Sequence, residues 1–472
     1  MTDGPRVGEI AGAGKDLAVR GWVVDPAAGF EGAAEVVVRD GVVVSVTALD
    51  GEAAAGLRPE GILIAPGFVD LRAHLREPGD EDAETIASGL AAAAHGGFTA
   101  VCIAADTDPA AGEPGVVGRI RAAVAASGSP VRALVLGAVT HERDGATLAA
   151  LGELADAGVV AFSDDPRAIS STAILRNALL YAGALGIPVM IAADDAALTA
   201  GAEANEGYVA TVLGLRGAPA AAESGAVAAA IDILAGVVRD EPRARLHLGH
   251  LSTAASLAHV RAARAAGLPV TCDVAPHHLA LSDEWLAGAR RWAWEALDAD
   301  GGARDPWADG ALEALPFDPA LRVTPPLRGP LDAAACARAV ADGTVTAIAT
   351  DHAPRHEVET HVEFGEAPGG IAGLETAAAV VLAAVDAGQL TLGRAIEALT
   401  TGPALVLGER HIPVPGLRPG QPADLVVIDR GATWTVTRDG LASRGWNQPL
   451  LGRELRGGVR LTVAGGRIAY SA

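Results

Sequence analysis

Short apolar runs recur along the middle of the chain, each ending in a polar tip. Eight of them stand out: Ile64–Asp70, Ala100–Ala104, Arg132–Gly137, Val159–Phe162, Pro188–Ile191, Ala244–Gly249, Pro269–Asp273 and Thr346–Thr350. Stretches with helical spacing lie between most of them: Ala83–His95, Val117–Ala126, Ser171–Gly186, Ser224–Val238 and Thr253–Ala266. Strand and helix in repeated alternation predict a parallel sheet, and eight such units predict a closed (β/α)8 barrel of the TIM type. Residues 282–320, rich in Trp, Ala, Asp and Gly, break the rhythm and read as an insertion of loop or short helices on the rim.

The two ends have another pattern. Leu17–Val24, Glu35–Arg39 and Val42–Val46 are strand-like, and Asp40-Gly41 between the last two is a strong hairpin signal. Ala423–Asp429, Thr433–Thr437, Val459–Val463 and a last strand in Ala464–Tyr470 mirror them at the far end. Each end alone would have a thin core. Together they predict one small β-sandwich domain built from residues 1–64 and 408–472, around a barrel spanning 65–407.

Composition narrows the possible partners. The chain has 472 residues, 50% hydrophobic but only 3% aromatic, so Ala, Val and Leu must fill the core. A formal net charge of -22 argues against nucleic acid and anionic membrane as partners. Cys102, Cys272 and Cys336 show no paired spacing, which fits a reducing cytoplasm and packing roles for the two that lie in apolar strands. The first residues do not read as a signal peptide, and no run of 18 apolar residues free of charge or turn breakers reads as a membrane span.

In a (β/α)8 barrel the active site is built where the strands end, at their C-terminal tips. The tips here carry Arg72, His74 and Arg76; Asp106-Thr-Asp108; Ser163-Asp-Asp-Pro166; Ala192-Ala-Asp-Asp195; His250; Pro276-His-His278; and Asp351-His-Ala-Pro-Arg-His356. A single tip histidine or carboxylate is weak evidence. Recurrence at nearly every tip points to an ancestral metal site with acid/base chemistry. His247 reads as a core or supporting histidine, and His277 and His278 as loop-fixing residues.

These residues resemble the dihydroorotases of the amidohydrolase superfamily, whose sister families are hydantoinases and allantoinases. The resemblance runs nearly end to end through Pro66-Gly-Phe-Val-Asp70, His74-Leu-Arg-Glu-Pro-Gly79, Phe162-Ser-Asp-Asp165, Gly249-His-Leu-Ser-Thr253, Pro325-Pro-Leu-Arg-Gly329, Ala349-Thr-Asp-His-Ala-Pro354 and Gly370-Ile-Ala-Gly-Leu-Glu-Thr376. It implies zinc-assisted, reversible closure of N-carbamoyl-aspartate to dihydroorotate in pyrimidine synthesis. Carried over, His74, Asp165, His250 and Asp351 fall on metal-ligand positions. Asp351 also falls on the general acid/base position, and Arg76 on the carboxylate-binding one.

The chain departs from the family pattern inside this site. Arg72 replaces the first histidine of His-x-His, and Ala192, or alternatively Ala193, stands for the fifth-strand histidine. Asp106 and Thr324 stand where the family has substrate-binding asparagines. Arg355 stands at a substrate-binding histidine position. An arginine is not deprotonated in proteins. Two unit charges ~4 Å apart repel by roughly 4 kcal/mol at an effective dielectric of about 20, and a divalent ion doubles that. The expectation is therefore that Arg72 replaces the metal by pairing with Asp165 or Asp351, leaving zinc absent or a single ion weakly bound. The resemblance extends to metal-site-degenerate, non-catalytic homologues that assemble with aspartate transcarbamoylase. A structural or regulatory subunit of that kind, a homodimer itself, is the first expectation. An active one-metal cyclic-amide hydrolase acting on dihydroorotate or carbamoyl-aspartate is the alternative.

Overall fold

A computed structural model describes residues 16–472 apart from 170, 309 and 311. Four strands come first: β1 (Leu17–Asp25), β2 (Phe30–Arg39), β3 (Val42–Ala48) and β4 (Ile62–Pro66). The Asp40-Gly41 turn joins β2 to β3 with both residues at positive φ, the backbone that a two-residue hairpin requires. The ring comes next: β5 (Phe68–Ala73), β6 (Phe98–Ile103), β7 (Arg132–Gly137), β8 (Ala161–Phe162) and β9 (Val189–Ala192). A two-stranded parallel pair, β10 (Ala204–Asn205) and β11 (Gly217–Ala218), sits outside it. The ring resumes with β12 (Leu246–Gly249), β13 (Val270–Val274) and β14 (Ala347–Ile348). The chain ends with β15 (Leu425–Thr435), β16 (Glu454–Ala464) and β17 (Arg467–Ser471).

The eight ring strands pair in parallel in the order β14-β13-β12-β9-β8-β7-β6-β5. Between the outer two, a parallel bridge pairs Ala73 with His352, and Thr350 N donates to Asp70 Oδ1 at 2.7 Å. Alternate residues divide the core. Val69, Leu71, Ala100, Cys102, Leu134, Leu136 and Met190 form one buried cluster inside the ring. Phe68, Phe98, Val101, Ile103, Val189, Leu246 and Leu248 belong to the larger cluster that packs the ring on its helices. The interior relies on small side chains, as the low aromatic content requires. Cys102, Cys272 and Cys336 are free and buried.

The terminal strands form a seven-stranded sheet ordered β17-β16-β15-β4-β1-β2-β3. The first apolar run of the sequence, Ile64–Asp70, is not one barrel strand. It is divided at Gly67: β4 pairs with β1 and β15 in the terminal sheet, and β5 opens the barrel. A Cβ at Gly67 would lie 2.2 Å from the Thr99 side chain, so the chain can cross between the sheets only with glycine there. At the far end Ala423–Asp429 and Thr433–Thr437 are one strand, β15, with a register irregularity between Asp429 and Thr433.

The helix Ala220–Val237 is long and apolar enough to cross a membrane by length and composition. Here it is one of the barrel's outer helices, packed against Thr172–Leu185 and Ala254–Ala265 and carrying buried Glu223. The rim insertion contains short 3-10 turns at Asp283–Ala287, Ala293–Ala296 and Pro319–Leu321, closed over fully buried Trp285.

Candidate active site

The strand tips converge on one buried cluster. Pairing of β5 with β6 is irregular between Asp70 and Ala73, and there Arg72 turns inward, 2% exposed. Its Nη2 lies 2.8 Å from Asp273 Oδ2, its Nε 3.2 Å from Asp165 Oδ2 and its Nη1 3.7 Å from Asp351 Oδ1. One guanidinium therefore faces carboxylates from three strand tips. It lies against bare backbone: a Cβ at Gly249 would sit 2.1 Å from Arg72 Nη2.

His74 stands two residues on. Its Nδ1 is 2.8 Å from Asp106 Oδ2, and its Nε2 is 3.7 Å from Asp165 Oδ1 and 3.6 Å from Asp351 Oδ1. Arg76 Nη1 donates to the same Asp106 Oδ2 at 2.9 Å, and its Nε to the Pro354 carbonyl. His250 Nε2 pairs with Asp165 Oδ2 at 2.8 Å. Arg76, His250 and Asp351 all have positive φ. Strained backbone of this kind gathers at functional sites and persists only where its surroundings hold it.

The electrostatics come from burial set against pairing. Burial disfavours the Arg72 charge, but Asp273, Asp165 and Asp351 together hold the guanidinium protonated beyond the usual arginine range. Burial likewise opposes charge on His74, yet Asp106 outweighs it and pushes the imidazole up to about 9. His250 is raised from its ordinary value, with burial against it and Asp165 the main support. Asp106 and Asp273 resist the upward push of burial and fall well below the usual carboxylate range, chiefly through His74 and Arg72 respectively. Four carboxylates thus face two arginines and two histidines whose charged forms those acids favour.

The residues do not fit a zinc centre in this arrangement. Asp165, on a carried-over ligand position, already faces Arg72 and His250 through Oδ2. His74 holds Asp106 through Nδ1, and its Nε2, 3.6–3.7 Å from Asp351 and Asp165, would have to give up its proton to serve as a ligand. A dication beside Arg72 would meet a fixed positive charge, at a cost of about 8 kcal/mol for ~4 Å separation at an effective dielectric of ~20. Of the four ligand positions that persist, His74, Asp165 and Asp351 bring ligand-type atoms within 4.8 Å of one another, and His250 stands on Asp165.

The structure brings Arg72, His74, Arg76, Asp106, Asp165, His250 and Asp351 together as their positions in the sequence suggest. Arg355 points elsewhere: its Nε and Nη2 both donate to the Gly369 carbonyl. Ala192 and Thr324 line an adjoining cavity. Asp273 is the residue that sequence reasoning misses. It is fully buried, accepts from Arg72 and from the His250 backbone N–H at 2.7 Å, and pairs with His247 Nε2 at 2.8 Å. A signal for it exists, since an acid ends the apolar run Pro269–Asp273. A search confined to the polar residues beyond each run passes over the run's own last residue. His247, also fully buried, is the supporting residue that its sequence position suggests, fixed between Asp273 and Thr271.

Comparison with known proteins agrees with this geometry. The pattern of the Dihydro-orotase-like family matches residues 61–239. A dihydroorotase of Anaeromyxobacter dehalogenans is 42% identical over 452 residues, covering 95% of this chain and 96% of its own. The chain belongs to the dihydroorotase family. A second dihydroorotase, from Geobacter metallireducens, is 38% identical, with 95% of this chain and 98% of that protein covered. Among solved structures, the L-hydantoinase of Arthrobacter aurescens superposes with a TM-score of 0.75 at 20% identity, covering 95% of this chain and 94% of that one. At that distance the likeness speaks for the fold alone: the amidohydrolase barrel with its β-domain from both chain ends.

Proposed function

We propose that this dihydroorotase-family chain is non-catalytic: Arg72 takes the place of the metal charge, and the protein serves de novo pyrimidine synthesis as a structural or regulatory subunit. Aspartate transcarbamoylase is the partner this reading favours, with a homodimer as the chain's own form, in the cytoplasm. One observation carries it, the Arg72 guanidinium within 3.7 Å of Asp165, Asp273 and Asp351. The pairing of Arg76 with Asp106 supports it, because the arginine that would grip a substrate carboxylate is already neutralised. Hydrolysis of dihydroorotate, assayed with and without added zinc, is the test. No turnover above background in either case is expected. Turnover that disappears in Asp351→Ala defeats the reading.

A second reading, a one-metal cyclic-amide hydrolase acting on dihydroorotate or carbamoyl-aspartate, is favoured by the surviving His74, Asp165 and Asp351 grouping. Three protein ligands and a water suffice for a catalytic zinc. It requires Arg72 to leave its three carboxylates and His74 to give up a proton, so the first reading explains the observed pairs with fewer changes. Co-purification of tagged chain with aspartate transcarbamoylase tests the proposed partnership.

A further inference from the structure

Beside His250 the mouth opens into a cavity of about 230 Å³. Two of the departures form its wall: Ala192, where the family resemblance places a metal-ligating histidine, and Thr324, where it places a substrate-binding asparagine. Smaller side chains at both positions leave room that the motif's usual residues would fill.

The cavity's walls hold donors that the protein does not use up. Arg328 is 4% exposed. It spends Nε on Ser252 and Nη1 on Asn205 and the Ala218 carbonyl, and its Nη2 makes a loose ion pair with Glu223 at 3.9 Å, with no hydrogen bond to it. Arg322 commits Nη1 to the Phe364 and Gly365 carbonyls, which leaves Nε and Nη2. Acceptors are available as well. Asp194 takes the Thr199 hydroxyl on Oδ2 and keeps Oδ1. Glu223 is already occupied by Ser252 and Thr253.

We propose that this cavity binds a small acidic amino acid, its carboxylates on Arg322 and Arg328 and its ammonium on Asp194, which would make the former active-site mouth a ligand sensor. The proposal rests on the reading that the fifth-strand position no longer holds a metal. Size agrees: at ~30 Å³ for each water, the cavity holds about eight waters, room for a molecule of about ten heavy atoms rather than a drug-sized one. Paired arginines suit carboxylates through their fixed fork of N–H donors.

Calorimetric titration of the full-length chain, analysed for metal beforehand, tests it with four probes: L-aspartate, L-glutamate, succinate and N-carbamoyl-L-aspartate. The first two are expected to bind. Succinate, which lacks the ammonium, and the carbamoyl compound, in which it is blocked, are expected to bind at least ten-fold more weakly. Arg322→Gln should weaken L-aspartate at least ten-fold, and Asp194→Asn should narrow the gap between L-aspartate and succinate. If Arg322→Gln does not fold, Ala192→Leu fills the cavity without changing charge and should abolish binding. No heat with L-aspartate or L-glutamate in metal-free protein overturns the proposal, as does succinate binding equal to L-aspartate. Zinc-dependent turnover of N-carbamoyl-L-aspartate would defeat the non-catalytic reading; the cavity assignment would then stand or fall on Arg322→Gln and Ala192→Leu alone.

Discussion

Arg72 is the residue on which the proposed reading turns, because it stands where the family resemblance places a histidine ligand and faces three carboxylates. Arg72→Met keeps the bulk and removes the cation, leaving Asp165, Asp273 and Asp351 without their common partner. Breaking a buried ion pair from one side costs ~3–5 kcal/mol, so chemical denaturation of this variant should show a loss of that order. Arg72→His should act differently. It restores His-x-His beside Asp165 and Asp351, and the variant is expected to retain zinc through dialysis where the natural chain does not, with Asp351→Asn in the same background losing it again. Asp283, on the rim, provides a separate test of burial. Its carboxyl is pushed up to about 6, mainly by desolvation, with Asn205 donating to it. The unfolded value is ~3.9, so the native state holds the proton more tightly and stability falls as pH rises from about 4 to 6, then levels off. Two pH units correspond to on the order of 2–3 kcal/mol, and Asp283→Asn should flatten that slope in unfolding curves taken at pH 4, 5, 6 and 8.

At the level of elements, the strand β5 and the glycine at the end of β12 form a fitted pair. Gly249→Ala drives a methyl into Arg72 Nη2, which three carboxylates hold in place. Overpacking of this kind costs ~1–3 kcal/mol, and the loss should shrink in an Arg72→Met background if the guanidinium is what the methyl meets. The turns of the terminal sheet are fitted as closely. A Cβ at Gly41 would stand 2.4 Å from the Gly466 carbonyl, so Gly41→Ala should lower the melting temperature by joining strain at positive φ to a clash with the opposite hairpin. Element existence was legible from period and turn chemistry: seven of the apolar runs are ring strands close to the expected bounds, and Asp40-Gly41 is the hairpin turn. The limits of reading by pattern show at Ile64–Asp70, where one apolar run feeds two sheets. Hydropathy cannot mark a crossing that Gly67 and its contact with Thr99 decide in three dimensions.

The whole molecule is an amidohydrolase barrel joined to a sheet that gathers both chain ends, and its family membership was legible from motifs at the tips. The departure at Arg72 was legible too, since an arginine in a His-x-His frame is visible in one dimension. What held the arginine was not. Asp273 lies 201 residues from Arg72, at the end of a strand that reads as plain core, and only closure of the ring brings them to 2.8 Å. The same closure hides His74, Asp165 and Asp351 together, so the charges must balance within the protein. On the proposed reading they do so without a metal. Elemental analysis of the purified natural chain, expressed with zinc in the medium and dialysed without chelator, tests this most directly. Well under about a tenth of an equivalent of zinc per chain is expected, unchanged in Asp351→Asn. Near one equivalent, lost in Asp351→Asn, would contradict it.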